Sequence, residues 1–169
     1  GQTGLEQLTR SKAPVIDPQL SADGSKAAFV REDELWVLDL KTRAETRLTE
    51  GAVDGLTHGL AEFAAQEELA RSSGFWWSPD GACIAYQETD ERHIPLFTIV
   101  HDGGDKVGSE THRYPFAGEA NAKVRLGIVS ASGGATRWLK LPELEQDAYL
   151  ARVQWENPSS LFVQLLSRD

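Results

Sequence analysis

The chain has 169 residues, 40% hydrophobic and 25% charged, with five tryptophans, the profile of a globular domain able to bury a core rather than of a disordered segment. Lys and Arg total 17 against 26 Asp and Glu, a net charge of -9, and no basic block offers a surface for nucleic-acid phosphates. No apolar run approaches the roughly 20 residues of a membrane helix, and Gly1 to Ser11 is too polar for a signal peptide.

From the N-terminus, Val15 to Leu20 reads as a strand, Ser21-Ala22-Asp23-Gly24 as a turn, and Lys26 to Arg31, Glu34 to Leu40 and Glu45 to Leu48 as three further strands. Such a meander of about four strands has the size of one propeller blade. Residues 59–73 break the pattern. Leu60, Phe63, Ala64, Glu67 and Glu68 fall at helical spacing among good helix formers, predicting a short helix over roughly Ala61 to Ala70, inserted in the first unit.

A second unit opens at Gly74-Phe75-Trp76-Trp77, turns at Ser78-Pro79-Asp80-Gly81, and runs on through Ala82 to Gln87 and Leu96 to His101. The two Ser-x-Asp-Gly turns begin at positions 21 and 78, 57 residues apart, which exceeds a bare blade of about 40 to 50 residues and agrees with an insertion between them. Asp102 to Arg125 reads as a loop, after which Leu126 to Ala131 resumes the sheet. A third unit starts at Tyr149 to Trp155, continues in Leu161 to Leu166, and breaks off at Asp169. The expected fold is all-β: a partial β-propeller of two to three blades of antiparallel strands spanning residues 1–169, carrying a helical insertion at about 59–73. An incomplete ring leaves open sheet faces and edges, so self-association is expected. The absence of methionine, even at position one, reads as a processed or truncated chain.

Few residues suit chemistry. There is no Gly-x-Ser-x-Gly elbow, so no catalytic residue is assigned. The histidines at 58, 93, 101 and 112 lack the spacing of a metal site and read as solvated or structural. Asp102-Gly103-Gly104-Asp105 reads as a turn rather than a calcium loop. No metal and no cofactor is expected. Cys83, lying in an alternating apolar run, reads as a buried structural thiol, and Trp76 and Trp77 as packing residues on opposite faces of one strand. Glu67-Glu68 stands out, because adjacent carboxylates on an inserted helix favour an ammonium partner over a neutral one, although such a pair is usually a solvated helical face.

Two segments carry a resemblance. Gln66-Glu67-Glu68-Leu69-Ala70-Arg71-Ser72-Ser73-Gly74-Phe75-Trp76-Trp77-Ser78-Pro79-Asp80-Gly81 resembles the propeller insertion of the dipeptidyl peptidase IV family. Tyr114-Pro115-Phe116-Ala117-Gly118-Glu119-Ala120-Asn121 is similar to a second segment of that family, in the same order. The resemblance implies an eight-bladed propeller followed by a C-terminal α/β-hydrolase domain that removes N-terminal dipeptides after proline or alanine. This chain would supply part of the propeller and none of the catalytic triad. The resemblance further implies that Glu67 and Glu68 bind the free α-ammonium of the peptide substrate. Ala70 and Ala122 depart from the family pattern, where an aspartate and a proline are common. No residue is assigned to the family's substrate-carbonyl arginine; Arg71 and Arg113, near the motifs, read as structural or surface residues. The implied partners are a peptide with a free N-terminus, the hydrolase domain and a second copy in a homodimer. The compartment is unknown, with a lean toward periplasmic or secreted. The alternative is a non-catalytic propeller that acts as an interaction scaffold.

Overall fold

The computed structural model describes residues 4–102 and 108–168, which are all-β apart from one short helix and one 3-10 turn. Strands β1 (Ile16–Leu20), β2 (Lys26–Arg31), β3 (Glu34–Asp39) and β4 (Glu45–Arg47) form an antiparallel meander in chain order. Then come β5 (Leu56–His58), helix α1 (Phe63–Glu68), β6 (Phe75–Trp77), β7 (Cys83–Asp90), β8 (Leu96–His101) and β9 (Gly108–Arg113). They are followed by β10 (Lys123–Ser130), β11 (Arg137–Trp138), a 3-10 turn (Pro142–Gln146), β12 (Tyr149–Asn157) and β13 (Ser160–Leu166). The second sheet runs β11-β10-β7 with β5 and β6 both on the far edge of β7, while β12-β13 begins a third. Sheets built this way are successive blades, and the chain is a partial β-propeller. None of its described helices is long and apolar enough to cross a membrane.

The repeat legible in the sequence is a repeat in hydrogen bonding. Ser21 Oγ donates to Asp23 Oδ1 at 2.6 Å and accepts the Lys26 N–H at 3.0 Å; Ser78 Oγ does the same with Asp80 Oδ1 at 2.6 Å and the Cys83 N–H at 2.9 Å. Gly24 and Gly81 occupy the left-handed region at φ 67° and 66°, which closes both turns. Blade-to-blade contacts repeat as well. The Trp77 indole N–H donates to the Gln19 carbonyl of β1 at 3.2 Å, and the Trp155 indole N–H to the Trp76 carbonyl of β6 at 3.0 Å. Gln19 and Trp76 each stand two residues before the serine of their turn, so the two latches are equivalent.

The period-2 alternation of β7 sends its side chains into two cores. Ile84 and Tyr86 join Val30, Leu35, Val37, Phe75 and Val129 between the first and second sheets. Ala85 joins Leu126, Ile128, Leu150 and Val153 between the second and third. Trp77 packs on the first core and Trp76 on the second. Cys83 is half-buried beside the second, a little more exposed than expected.

A buried polar cluster joins the first two blades. His58 Nδ1 lies 2.8 Å from Glu34 Oε2 on β3, and its Nε2 lies 3.2 Å from Glu88 Oε2 on β7. Glu34 also accepts from Arg47, Thr49 and the Ala52 N–H. Burial works against charge at Glu34, yet the bonds from His58, Thr49, Ala52 and Arg47 bring its pKa down to about 2. Burial likewise opposes protonation of His58, but the bonds and negative charges of Glu34 and Glu88 raise it to about 9. Arg125 completes the cluster at 2.6 Å from Glu88.

Three expectations need correction. Residues 60–73 interrupt the second blade, not the first: β5 pairs with residues 88–90 of β7 and β6 with residues 84–86, so the insertion leaves and rejoins a single strand line. The helix is shorter than Ala61 to Ala70. The stretch 102–125 is not all loop, since β8 and β9 form a separate hairpin whose β8 residues are all exposed, and β10 starts at Lys123. The Asp102-Gly103-Gly104-Asp105 turn lies largely outside the described residues.

Candidate functional site

The insertion leaves the sheet through a narrow backbone crossing. A Cβ on Gly74 would lie 2.5 Å from the Gly59 carbonyl carbon, and Gly59 itself sits at φ 85°, so neither position tolerates a side chain without displacement. A bridge between Leu60 and Ser73 closes the crossing. Beyond it α1 makes barely two turns. Its N-cap, Glu62, makes no side-chain capping bond, and the helix ends as Ala70 turns into the left-handed region at φ 49°.

A helix this short cannot hold itself in place. What holds α1 is a buried chain of hydrogen bonds across its base. Thr89 Oγ1 donates to the Leu60 carbonyl, and Gln87 Nε2 donates to Thr89 Oγ1 at 2.7 Å and to Glu62 Oε2 at 2.6 Å. Glu62 accepts from Arg71 Nη2 at 3.1 Å. Arg71 in turn donates through Nη2 to the Leu150 carbonyl of β12 at 2.8 Å and through Nη1 to the Ser73 carbonyl at 2.9 Å. Glu62, Arg71, Gln87 and Thr89 are all buried. Burial pulls the Arg71 pKa down and the Glu62 carboxylate works against it.

Glu67 and Glu68 sit on the exposed side of this anchored helix. Neither carboxylate has a hydrogen-bond or ion-pair partner among the described residues, whereas Glu62, five residues earlier, is fully engaged. Adjacent helical residues point about 100° apart, so the two can flank a single small cation from two sides. Among the described residues no group of three or more metal-ligating side chains converges.

Arg71 is a buried structural residue. Arg113 is structural too but only half-buried; its guanidinium donates to the Ile94 carbonyl at 3.1 Å and pairs with Asp54. The second sequence segment meets the inserted helix in space: Tyr114 packs at a tilt on Phe63 of α1 at 5.1 Å between ring centres, and edge-to-face on Phe116 at 5.0 Å. Between α1 and the β8–β9 hairpin lies an open groove of about 870 Å³, lined by Phe63, Gln66, Phe97, His112 and Tyr114 among others. Of the remaining histidines, His93 bonds the Asn121 carbonyl, and His101 and His112 face Glu110 on the exposed hairpin. Sequence reasoning missed Glu62 and Gln87, which carry no motif of their own; the only signal was at Gln87, a polar residue at a β7 position that strand alternation turns inward.

Comparison with known proteins identifies the family and the fold. The family described as the dipeptidyl peptidase IV (DPP IV) N-terminal region matches residues 2–169. Dipeptidyl peptidase 8 of Mus musculus is 31% identical over 150 residues, covering 75% of this chain and 17% of the relative. Dipeptidyl peptidase 4 of Felis catus is 29% identical, covering 88% and 21%. Inactive dipeptidyl peptidase 10 of Rattus norvegicus is also 29% identical, covering 86% and 19%. The crystal structure of Porphyromonas gingivalis dipeptidyl peptidase 4 superposes with a TM-score of 0.85 at 27% identity, over 95% of this chain and 23% of that one. The chain thus spans about a fifth of the length of the relatives it matches. With a family match over nearly its whole length and a structural likeness that covers 95% of it, the chain belongs to the dipeptidyl peptidase IV N-terminal region family.

Proposed function

We propose that the chain is the substrate-binding and gating propeller segment of a serine dipeptidyl aminopeptidase that removes Xaa-Pro type dipeptides from peptide N-termini. In this reading Glu67 and Glu68 bind the substrate's α-ammonium, and a hydrolase domain elsewhere in the full-length protein cuts the bond. The observation that carries it is the contrast within one insertion: an engaged, buried glutamate at its base and two unpartnered, adjacent glutamates on its exposed side. Two charge-assisted hydrogen bonds to an ammonium hold the peptide end at a fixed distance from the scissile bond. They also reject peptides whose amine is blocked.

The test is Glu67→Gln and Glu68→Gln in the full-length protein, with free-amine and N-acetylated Xaa-Pro substrates. Each substitution removes a charged bond worth about 1.5 to 3 kcal/mol, so kcat/KM for the free amine should fall roughly 10- to 100-fold. An unchanged value would remove the assigned role. The 169-residue chain alone should show no labelling by a serine-hydrolase reagent.

A non-catalytic scaffold is the second reading, and the inactive relative in Rattus norvegicus favours it. Reading the gene beyond Asp169 separates the two: a Gly-x-Ser-x-Gly followed by Asp and His supports the peptidase, and their absence the scaffold.

A further inference from the structure

We propose that Arg71 is a positioning residue for the amine site: its guanidinium fixes α1 against two blades at once and thereby sets where Glu67 and Glu68 meet the peptide. The inference rests on the amine-binding reading and adds what makes that site stiff. Three features lead to it. The helix has no stability of its own, being six residues long with an uncapped start and a left-handed alanine at its end. Its covalent attachments both pass through the Gly59–Gly74 crossing, a single point about which a rigid insertion could tilt. A tie to a different blade, away from that crossing, opposes such tilting: Arg71 bonds the Leu150 carbonyl of β12 through both Nε and Nη2, at 3.2 and 2.8 Å.

Arg71 is suited to this by its shape. A planar fork can serve the Leu150 carbonyl, the Ser73 carbonyl and the Glu62 carboxylate simultaneously, in fixed directions. Lysine has one head and no fork. The other face of the guanidinium lies over the Trp76 ring, 5.8 Å from its centre, and Trp76 in turn accepts the Trp155 latch. The insertion is therefore tied to β7 through Glu62 and Gln87, to β12 through Leu150, and to the blade-to-blade seam through Trp76. Loosening one corner moves Glu67 and Glu68, which stand four and three residues before Arg71, relative to a scissile bond that another domain must reach. A misplacement of about 1 Å is enough to cost on the order of 100-fold in rate.

The experiment uses the full-length protein with four variants: Arg71→Lys, Arg71→Met alone, the pair Arg71→Met with Glu62→Gln, and Glu67→Gln as reference. Arg71→Lys keeps the buried charge pair, and the double change removes both charges together, so neither leaves an uncompensated buried carboxylate. Folding is followed by denaturant unfolding and tryptophan emission, and the hydrolase centre by its labelling rate with a small fluorophosphonate, which carries no amine. For Arg71→Lys a several-fold rise in KM for a free-amine Xaa-Pro substrate is expected, and for the double change a rise of about tenfold or more. Labelling rates should stay at the wild-type value. The double change should recover stability relative to Arg71→Met alone without recovering KM. If KM returns to the wild-type value together with stability, Arg71 only supports the fold and the proposal is overturned. If Glu67→Gln impairs free-amine hydrolysis while Arg71→Lys and the double change leave KM unchanged, the proposal falls alone. If Glu67→Gln is itself silent, the amine site falls and the proposal with it.

Discussion

A histidine whose two ring nitrogens both face carboxylates has no neutral tautomer that satisfies them, because one nitrogen of neutral imidazole must accept. His58 is in that position, and its pKa is raised from an ordinary value near 6.5 to about 9. A raised folded-state value stabilises fully below pH 6.5, and the contribution is lost as pH rises through about 9. The rise corresponds to on the order of 3 kcal/mol. Urea unfolding of the wild-type chain should therefore show stability declining between about pH 6.5 and 9, and His58→Gln should flatten that decline; parallel profiles would show that the ring is not protonated in the fold. Ala70 gives a second residue-scale test. At φ 49° an alanine sits where L-residues are strained by about 1 kcal/mol, a region that asparagine, aspartate and above all glycine tolerate better. Ala70→Gly should raise stability by up to about 1 kcal/mol, and a loss on denaturant titration would contradict the strain. Glu67 and Glu68 were legible as residues, because their neighbours carry a motif. Glu62, Gln87 and the pairing of His58 with Glu34 were not, because their contacts join segments that meet only in the folded chain.

At the scale of the element, the insertion depends on two glycines more than on its helix. Gly59 and Gly74 let the chain leave β5 and re-enter at β6 while the Gly59 N–H bonds the Gln87 carbonyl and the Gly74 carbonyl accepts the Gln87 N–H, so the ladder along β7 is unbroken. A methyl group on Gly74 meets backbone at 2.5 to 2.6 Å, which no side-chain rotation can relieve. Gly74→Ala should cost about 2 to 3 kcal/mol in unfolding free energy, and near-neutral behaviour would mean that the crossing is looser than described. This geometry explains why the sequence put the insertion in the wrong blade. A strand split into two three-residue pieces has no run long enough to show alternation, whereas the Ser-x-Asp-Gly turns on either side do repeat. The β8–β9 hairpin was half legible for a related reason. Leu96 to Val100 is apolar enough to read as a blade strand, yet every residue of it is exposed, and its partner Gly108–Arg113 is polar throughout.

For the whole molecule, the blades bury their faces only against each other. The second sheet is covered on both sides, by the first and the third, which is why it contributes residues to both cores. The third sheet is covered on one. Leu161, Val163 and Leu165 of β13 turn toward the second sheet, while Phe162 and Leu166 turn away and remain 60% and 39% exposed. The outer edge of β13 pairs with no strand among the described residues, and an unpaired, partly apolar edge invites pairing with another chain. Net charge of -9 opposes association, but that repulsion is screened over about 10 Å at 0.1 M salt, whereas burial of a phenylalanine is worth about 1.5 to 3 kcal/mol whatever the ionic strength. Association of the 169-residue chain should therefore strengthen as salt rises. Light scattering during size-exclusion chromatography should show a concentration-dependent oligomer. Phe162→Lys should shift it toward monomer without lowering unfolding stability, because that side chain contributes to neither core. An oligomer that dissociates as salt rises, or that persists in Phe162→Lys, would place the contact elsewhere on the surface.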